Sequence, residues 1–502
     1  MSETPEPLDE LVTHAHDTRV VVVGAGIAGL VAALECAKVG MPVTVLEAAG
    51  RAGGTIAEAE VGGLRVDLGA SSWSTANGAV DALVDELGLS SRVVEPAETT
   101  TWIAGLGRSG AAAASLPAES VLGIPANPWS EEVRPFIGLN GAWRAYLDRL
   151  RPPLTIGKER NLDRLVRTRM GDAVVDRMVA PLSVGRFGIT PSRVDVAAAA
   201  PGLSSALTRT GSLGGAVADL LVDRASGPRL KSLEGGMLRL VDALVEKLTT
   251  LGAEVVTGAR VTAVERDADA RWAVSASDPA GEPIVVEPAD VLFVATGQAD
   301  ARRLLPAHLA PSLDESMTDA APLREIVTLV VDAPALDAAP RGAEVYAVPG
   351  TRRASGLVHQ TARWAWLARA AGPGRHVLSV AFDAASAPGA DAGPDAVPNA
   401  GLDDAAVAEL ARGEASALLG IDIDEAAVRG AHRAVFTLAH PASAIGHSEA
   451  TEAVRRATAA ARSLAAVGSW LAGSGLAQVV ADAQAEAERV RRIVLWGSAP
   501  GS

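Results

Sequence analysis
The chain has 502 residues, 48% of them hydrophobic and 21% charged, which gives material for two or three domains and excludes a disordered protein. A net charge of −15 argues against nucleic acid, whose binding is driven by Lys and Arg neutralising phosphates, and against a polybasic grip on anionic lipid. Cys36 is the only cysteine, so an intrachain disulfide and a cysteine zinc site are excluded; a buried small hydrophobe fits it. No metal site is expected.

Residues 1–18 are acidic and Pro-containing, with no basic stretch leading into an apolar one, and read as a disordered leader. Residues 19–23 form a β-branched, fully apolar strand of the kind buried in a parallel sheet. It runs into Gly24-Ala25-Gly26-Ile27-Ala28-Gly29, and 27–39 continue with a helical apolar pattern. A second strand at 42–46 ends at Glu47, followed by Ala48 and then Arg51-x-Gly53-Gly54-Thr55. In this order the first glycine permits a tight turn, the second lets backbone approach a pyrophosphate, and the third packs helix on strand. The helix N-terminus offers unpaired N–H groups to phosphate, and an acid at Glu47 suits the two hydroxyls of an adenosine ribose.

Farther on, 61–69 read as one short strand opening onto Gly69, Ala70, Ser71, Ser72 and Trp73, and 81–87 as a short helix. The LPAESVLGIPANP stretch is extended. From 131 to 221 the pattern is helical, with Arg164, Arg167, Arg169 and Arg177 read as a solvated face. Alanine-rich 194–207 fits a buried helix, a substrate-cavity wall or a membrane-touching surface. A strand, Gly235-Gly236-Met237 and a helix follow over 231–248. Strands are expected at 254–256 and 260–265, with Val261 at an adenine edge, then at 272–276, 284–286 and 291–295 as extensions of the same sheet. Strands near 326–331, 344–348, 377–382 and 428–436, with a helix over 404–419, make a separate piece. Residues 385–399 read as an exposed loop. Last come a strand at 464–467, Gly468-Ser469-Trp470, Gly473-x-Gly475, and a helix from Leu476 to about Arg492. That glycine turn offers a second anion site.

The second glycine pair after Glu47 resembles the FAD-dependent amine oxidase superfamily. With it the expected fold is α/β: a Rossmann-like FAD-binding domain, a mixed-sheet substrate domain and a helical insertion. The expected boundaries are FAD-binding at 19–90, 222–304 and 456–502, substrate at 91–130 and 305–455, and helical at 131–221. More specifically, the chain from 19 to 492 resembles the protoporphyrinogen/coproporphyrinogen oxidase family. The matching segments are LPAESVLGIPANP, MGDAVVDRMVAPLSVGRFG, SLEGGM, Arg363-Trp364 and VGSWLAGSGLA.

The resemblance implies FAD as cofactor and aerobic oxidation of a porphyrinogen to a porphyrin in haem biosynthesis, O2 being reduced to peroxide. Coproporphyrinogen III is favoured over protoporphyrinogen IX. The cofactor candidates are the glycine motif, Glu47, Ala48, Arg51, Gly53–Thr55, Gly69–Ser72, Val261, Trp364, Gly468, Ser469, Gly475 and Leu476. For the substrate, Trp470 could flank the flavin and Arg186 could pair a propionate. Against these stand a core tryptophan and a surface arginine. His359, His440 and His447 read as structural. The chain departs from the family pattern at Thr55, at Ala295-Thr296-Gly297, at 186–189 and at 440–447. Two further functions stay open, a different FAD amine oxidase or desaturase and a non-catalytic flavin-binding relative. The expected location is cytoplasmic. For the helical piece, docking on a bilayer and burial against a second subunit both stay open.

Overall fold
The computed structural model describes residues 8–151, 159–223, 229–305, 322–383, 397–439 and 441–497. Five short strands lie parallel in the order Glu254–Thr257, Val43–Glu47, Val20–Val23, Val291–Val294, Leu464–Ala466. Taken in chain order this is 3-2-1-4-5, and the order reverses between Val20–Val23 and Val291–Val294. Such a crevice is where doubly wound sheets hold a dinucleotide. Helix Ile27–Ala37 is buried along its whole length, which explains why it is apolar on every side but for Glu35, itself paired with Lys38 and Arg491. It is packed by Leu238–Thr250 and by Leu476–Trp496, the 21-residue helix near the C-terminal end.

A second sheet has seven strands: Val428–Thr437, Leu323–Asp332, Arg375–Asp383, Ala354–His359, Glu344–Ala347, Thr101–Leu106 and Ala112–Ser115, in that order across it. All neighbours are antiparallel except Glu344–Ala347 with Thr101–Leu106. Side chains alternate between its faces. One face carries Val327, Leu329, Val345, Leu357, Val380 and their neighbours, sealed by helix Asp404–Leu419. The opposite face carries Thr101, Glu344, Tyr346, Asp383, Arg324 and Phe436.

The described residues of 134–221 are largely helical around their own core of Phe136, Val166, Met178, Leu203 and Val217. Within this segment Val175–Val179 is a π turn. Pro181 has no N–H to donate, and the ladder slips to a wider turn there instead of breaking. Helix Ala180–Phe187 leaves this piece and lies against strands 344–347 and 354–359 of the seven-stranded sheet.

Several expectations are corrected. Residues 8–17 of the supposed leader form a helix, Leu8–Asp17, that packs on Leu476–Trp496; residues 1–7 lie outside the described residues. The single strand at 61–69 is a hairpin, Glu58–Val61 with Leu64–Asp67, turning at Gly62-Gly63, both at positive φ. Arg260–Arg266, Trp272–Ser277 and Pro283–Ile284 do not extend the nucleotide sheet. They form a separate antiparallel sheet, and Val285 is exposed. Arg169 is not solvated: it is buried and donates to Asp148 at 2.6 Å. Arg167 does lie on a charged face, paired with Asp163, Asp172 and Asp176. The alanine-rich run forms two short helices, Val196–Ala199 and Leu203–Thr210, parted by Gly202 at positive φ. Of the loop at 385–399, only 397–399 are among the described residues.

Candidate functional site
The glycine motif, the glycine pair and the turn after the hairpin converge on one edge of the parallel sheet. Gly24 follows Val23 at φ +105°, and a Cβ there would lie 2.7 Å from the Ala295 carbonyl. A Cβ on Gly29 would strike the Gly24 carbonyl, so helix and strand approach as closely as only glycine allows. Gly53 N–H donates to the Ala25 carbonyl at 2.9 Å, and Gly54 lies over the Cα of Gly26 at 3.4 Å from its notional Cβ. Thr55 in turn accepts from Ala70 N–H at 3.0 Å, which places Gly69–Ser72 beside the pair. Ser71 is pinned through its carbonyl by the Ser232 hydroxyl at 2.8 Å.

Glu47 ends its strand with both carboxylate oxygens engaged, Oε2 by Ala25 N–H at 2.7 Å and Oε1 by Ala49 N–H at 2.8 Å. A cavity of about 240 Å³ opens over this edge. Gly24, Gly26, Glu47, Ala48, Gly54, Val261, Thr296 and Arg303 are among the residues that line it. Of the candidates, Arg51 points away, half-exposed, to Asp242 at 3.1 Å and Glu58 at 3.6 Å. Ala25, Ile27 and Ala28 are buried behind the lining.

A dinucleotide fits these residues on two observations. The Cβ direction of Gly26 is open space, as a pyrophosphate requires of that glycine, and Thr296 Oγ1 is buried in the cavity wall without a hydrogen-bond partner among the described residues. Asp67, at the end of the hairpin, accepts from Met237 N–H at 3.0 Å beneath Gly236. Burial pushes its carboxyl up to about 7. Nothing in the sequence singled it out.

Of the later candidates, Gly468 borders the same crevice, a Cβ on it lying 3.6 Å from the Thr296 carbonyl. Gly468 is at φ +139° and opens the short helix Ser469–Ala472, while Gly475 caps the N-terminus of Leu476–Trp496. Trp470 is buried among Val454, Leu464 and Leu471, and Trp364 among Val66, Leu68 and Val330. Both indole N–H groups are buried with no partner among the described residues. His359 faces His376 at 3.0 Å, and burial, helped by that neighbour, holds it down at about 3. His447 donates from Nε2 to the Leu471 carbonyl at 3.0 Å, and burial lowers it. Both are structural in their contacts. His440 lies outside the described residues.

Arg186 is not a plain surface arginine. Its Nη2 donates to Glu344 Oε2 at 2.7 Å and to Thr101 Oγ1 at 3.1 Å, and its guanidinium sits 5.6 Å over the Tyr346 ring. Arg363 takes the other oxygen of Glu344. Burial alone would raise Glu344; the two guanidiniums outweigh it and hold the carboxyl down at about 2. Beside this group, Arg324 clasps Asp383 through two bonds of 2.8 and 2.9 Å. Tyr346, Glu344 and Thr101 were not sequence candidates. They lie 160, 158 and 85 residues from Arg186, beyond any local pattern.

Residues 27–491 match the family described as flavin containing amine oxidoreductase. The chain belongs to that family. Members are FAD-dependent oxidoreductases, which agrees with the expected fold and cofactor: the chain is an FAD enzyme acting on a small molecule. Among curated relatives, coproporphyrinogen III oxidase of Mycobacterium tuberculosis is 33% identical over 265 residues, covering 51% of this chain and 57% of that protein. The enzyme of the same name from Propionibacterium freudenreichii is 28% identical over 370 residues, covering 65% and 66%. The matches thus span between half and two thirds of these relatives. In fold the chain resembles a crystal structure from Exiguobacterium, provisionally named a protoporphyrinogen oxidase, with a TM-score of 0.78 at 22% identity over 94% and 98% of the two chains. It also resembles a putrescine oxidase, with a TM-score of 0.59 at 18% identity over 96% and 99%. No helix among the described residues is long and apolar enough to cross a membrane.

Proposed function
We propose that this enzyme oxidises a porphyrinogen to the porphyrin, coproporphyrinogen III before protoporphyrinogen IX, with O2 as acceptor, in the cytoplasm as a step of haem biosynthesis. The observation that carries this reading is the shared name of the mycobacterial and propionibacterial relatives, coproporphyrinogen III oxidase. FAD supplies a two-electron acceptor when bound. The six-electron conversion is then three successive two-electron removals, each returned to one O2 as hydrogen peroxide. Gly24, Gly26, Gly29, Gly53 and Gly54 would bring backbone against the diphosphate, Glu47 the ribose, Val261 the adenine, and Gly69–Ser72 with Trp364 and the turn at 468–476 the flavin end.

In this reading residues 91–130 and 305–455 hold the substrate and 131–221 form a peripheral contact. Supporting that contact is an exposed stripe of Leu139, Trp143, Leu147 and Leu150 on the helical piece. Vesicle flotation and sedimentation separate a bilayer from a second subunit.

Anaerobic addition of coproporphyrinogen III to the purified holoenzyme tests the reading. Rapid bleaching of the flavin band, with porphyrin accumulating, is expected. A flavin that dithionite reduces but neither porphyrinogen bleaches would overturn it and turn attention to amines and polyenes.

A further inference from the structure
One row across the polar face of the seven-stranded sheet is built of small and apolar residues. By strand register it runs Ala434, Ile326, Ala381, Gly356, Tyr346. Ala434, Ile326 and Ala381 are only half-buried, although Val327, Leu329 and Val380 beside them on the sealed face are fully buried. The row is therefore an open floor. At its first end Phe436, two residues along from Ala434, lies 3.1 Å from a notional Cβ on Gly69, beside the turn assigned to the flavin. At its other end stands Tyr346, four strand spacings or roughly 19 Å away.

Tyr346 is fixed by two glycines. A Cβ on Gly356 would come within 2.6 Å of its ring, and one on Gly185 would collide with the same edge. Above the ring sits Arg186, with Nη2 spent on Glu344 and Thr101 and Nε directed to the Tyr346 hydroxyl at 3.4 Å. Its Nη1 makes no hydrogen bond among the described residues. The side chain keeps 44% of its surface open, whereas Glu344 keeps 11% and Arg363 8%. Arg363 already balances Glu344, so the three groups together carry one surplus positive charge, and it is exposed only at Arg186. A guanidinium held on three sides with one free edge loses little freedom when that edge meets a planar anion.

We propose that Arg186 anchors a carboxylate at the rim of the substrate, remote from the reacting carbon, and that Glu344, Thr101 and Tyr346 are the positioning residues that aim it. The inference deepens, and rests on, the reading of the substrate as a porphyrinogen, whose propionates project from a broad macrocycle.

The test uses FAD-loaded R186M and R186K. The R186M variant should raise KM for coproporphyrinogen III about 10- to 100-fold with little change in kcat. It should weaken binding of the product coproporphyrin III, followed by its fluorescence, by the same factor. R186K, which keeps the charge and loses the fork, should fall between. The tetramethyl ester of coproporphyrin III should bind wild type and both variants equally. Unchanged acid binding in R186M, or equal weakening for acid and ester, overturns the anchor. Should R186M fail to retain flavin, R186K decides by the same acid-to-ester comparison. If the wild type oxidises neither porphyrinogen yet binds the acid more tightly than the variants do, the functional reading falls and the anchor stands.

Discussion
The nucleotide edge and the polar face of the seven-stranded sheet are made of different materials. At the nucleotide edge the work falls to backbone: carbonyls, N–H groups and glycines whose missing Cβ leaves room. Over the sheet it falls to side chains, three arginines set against two acids, gathered from three strands and two helices. A backbone site is rigid because the chain itself is fixed. A side-chain site is rigid only while its ion pairs stay made. The two should therefore fail in different ways.

The sharpest break is expected at Gly24. In G24V a branched side chain must occupy a left-handed φ against the Ala295 carbonyl. Flavin retention, read as the ratio of absorbance at about 450 nm to that at about 280 nm after purification, should fall at least roughly tenfold. Normal flavin content in G24V would show that backbone proximity does not build this edge.

A smaller effect is expected from E344Q. It leaves Arg186 and Arg363 facing a neutral amide in a largely buried setting, a change worth about 3–5 kcal/mol. The thermal midpoint should drop by several degrees while the flavin stays bound. An unaltered midpoint would mean that solvent already screens the cluster.

The smallest effect concerns Asp67, a charge placed among backbone groups. Its carboxyl ionises near 7 in the fold and near 4 when unfolded. Its stabilising contribution is thus complete below about pH 4 and lost as pH rises through 7. D67N removes the burden of ionisation and keeps an acceptor for Met237 N–H. Its thermal midpoint should exceed that of the wild type at pH 8, and the gap should narrow steadily on acidification to pH 5. A gap independent of pH would reassign the effect to packing.

The same contrast decides what could be read from the residues in advance. The glycine motif, the strand ending at Glu47 and the helix over 404–419 were legible because each is local: the signal and its structural cause lie within a few residues. Strand Ala354–His359 was missed because its sequence, ASGLVH, shows neither a clean alternation nor an apolar run. Gly356 is there to clear Tyr346 on the neighbouring strand, a reason written in another part of the chain. Arg169 read as solvated for a similar cause: Asp148 belongs to a different element, and only folding brings the two together. Arg186 could be suspected as an anion ligand, yet its surplus charge depends on Arg363 and Glu344, which no spacing connects to it.

The parallel sheet also sets a timetable. Its first two strands are complete at residue 47, but the strand that closes the far edge begins at residue 464, and the long helix that covers Ile27–Ala37 follows at 476. At a synthesis rate of about 5–20 residues per second, the 417 residues between (464 − 47) take roughly 20–80 s to emerge. Until Leu238–Thr250 emerges, the apolar helix Ile27–Ala37 has neither of the two helices that cover it, and for the rest of that interval it still lacks the longer one. The parallel sheet and its helical cover can therefore close only once residues 464–496 have been made, whatever has folded before them.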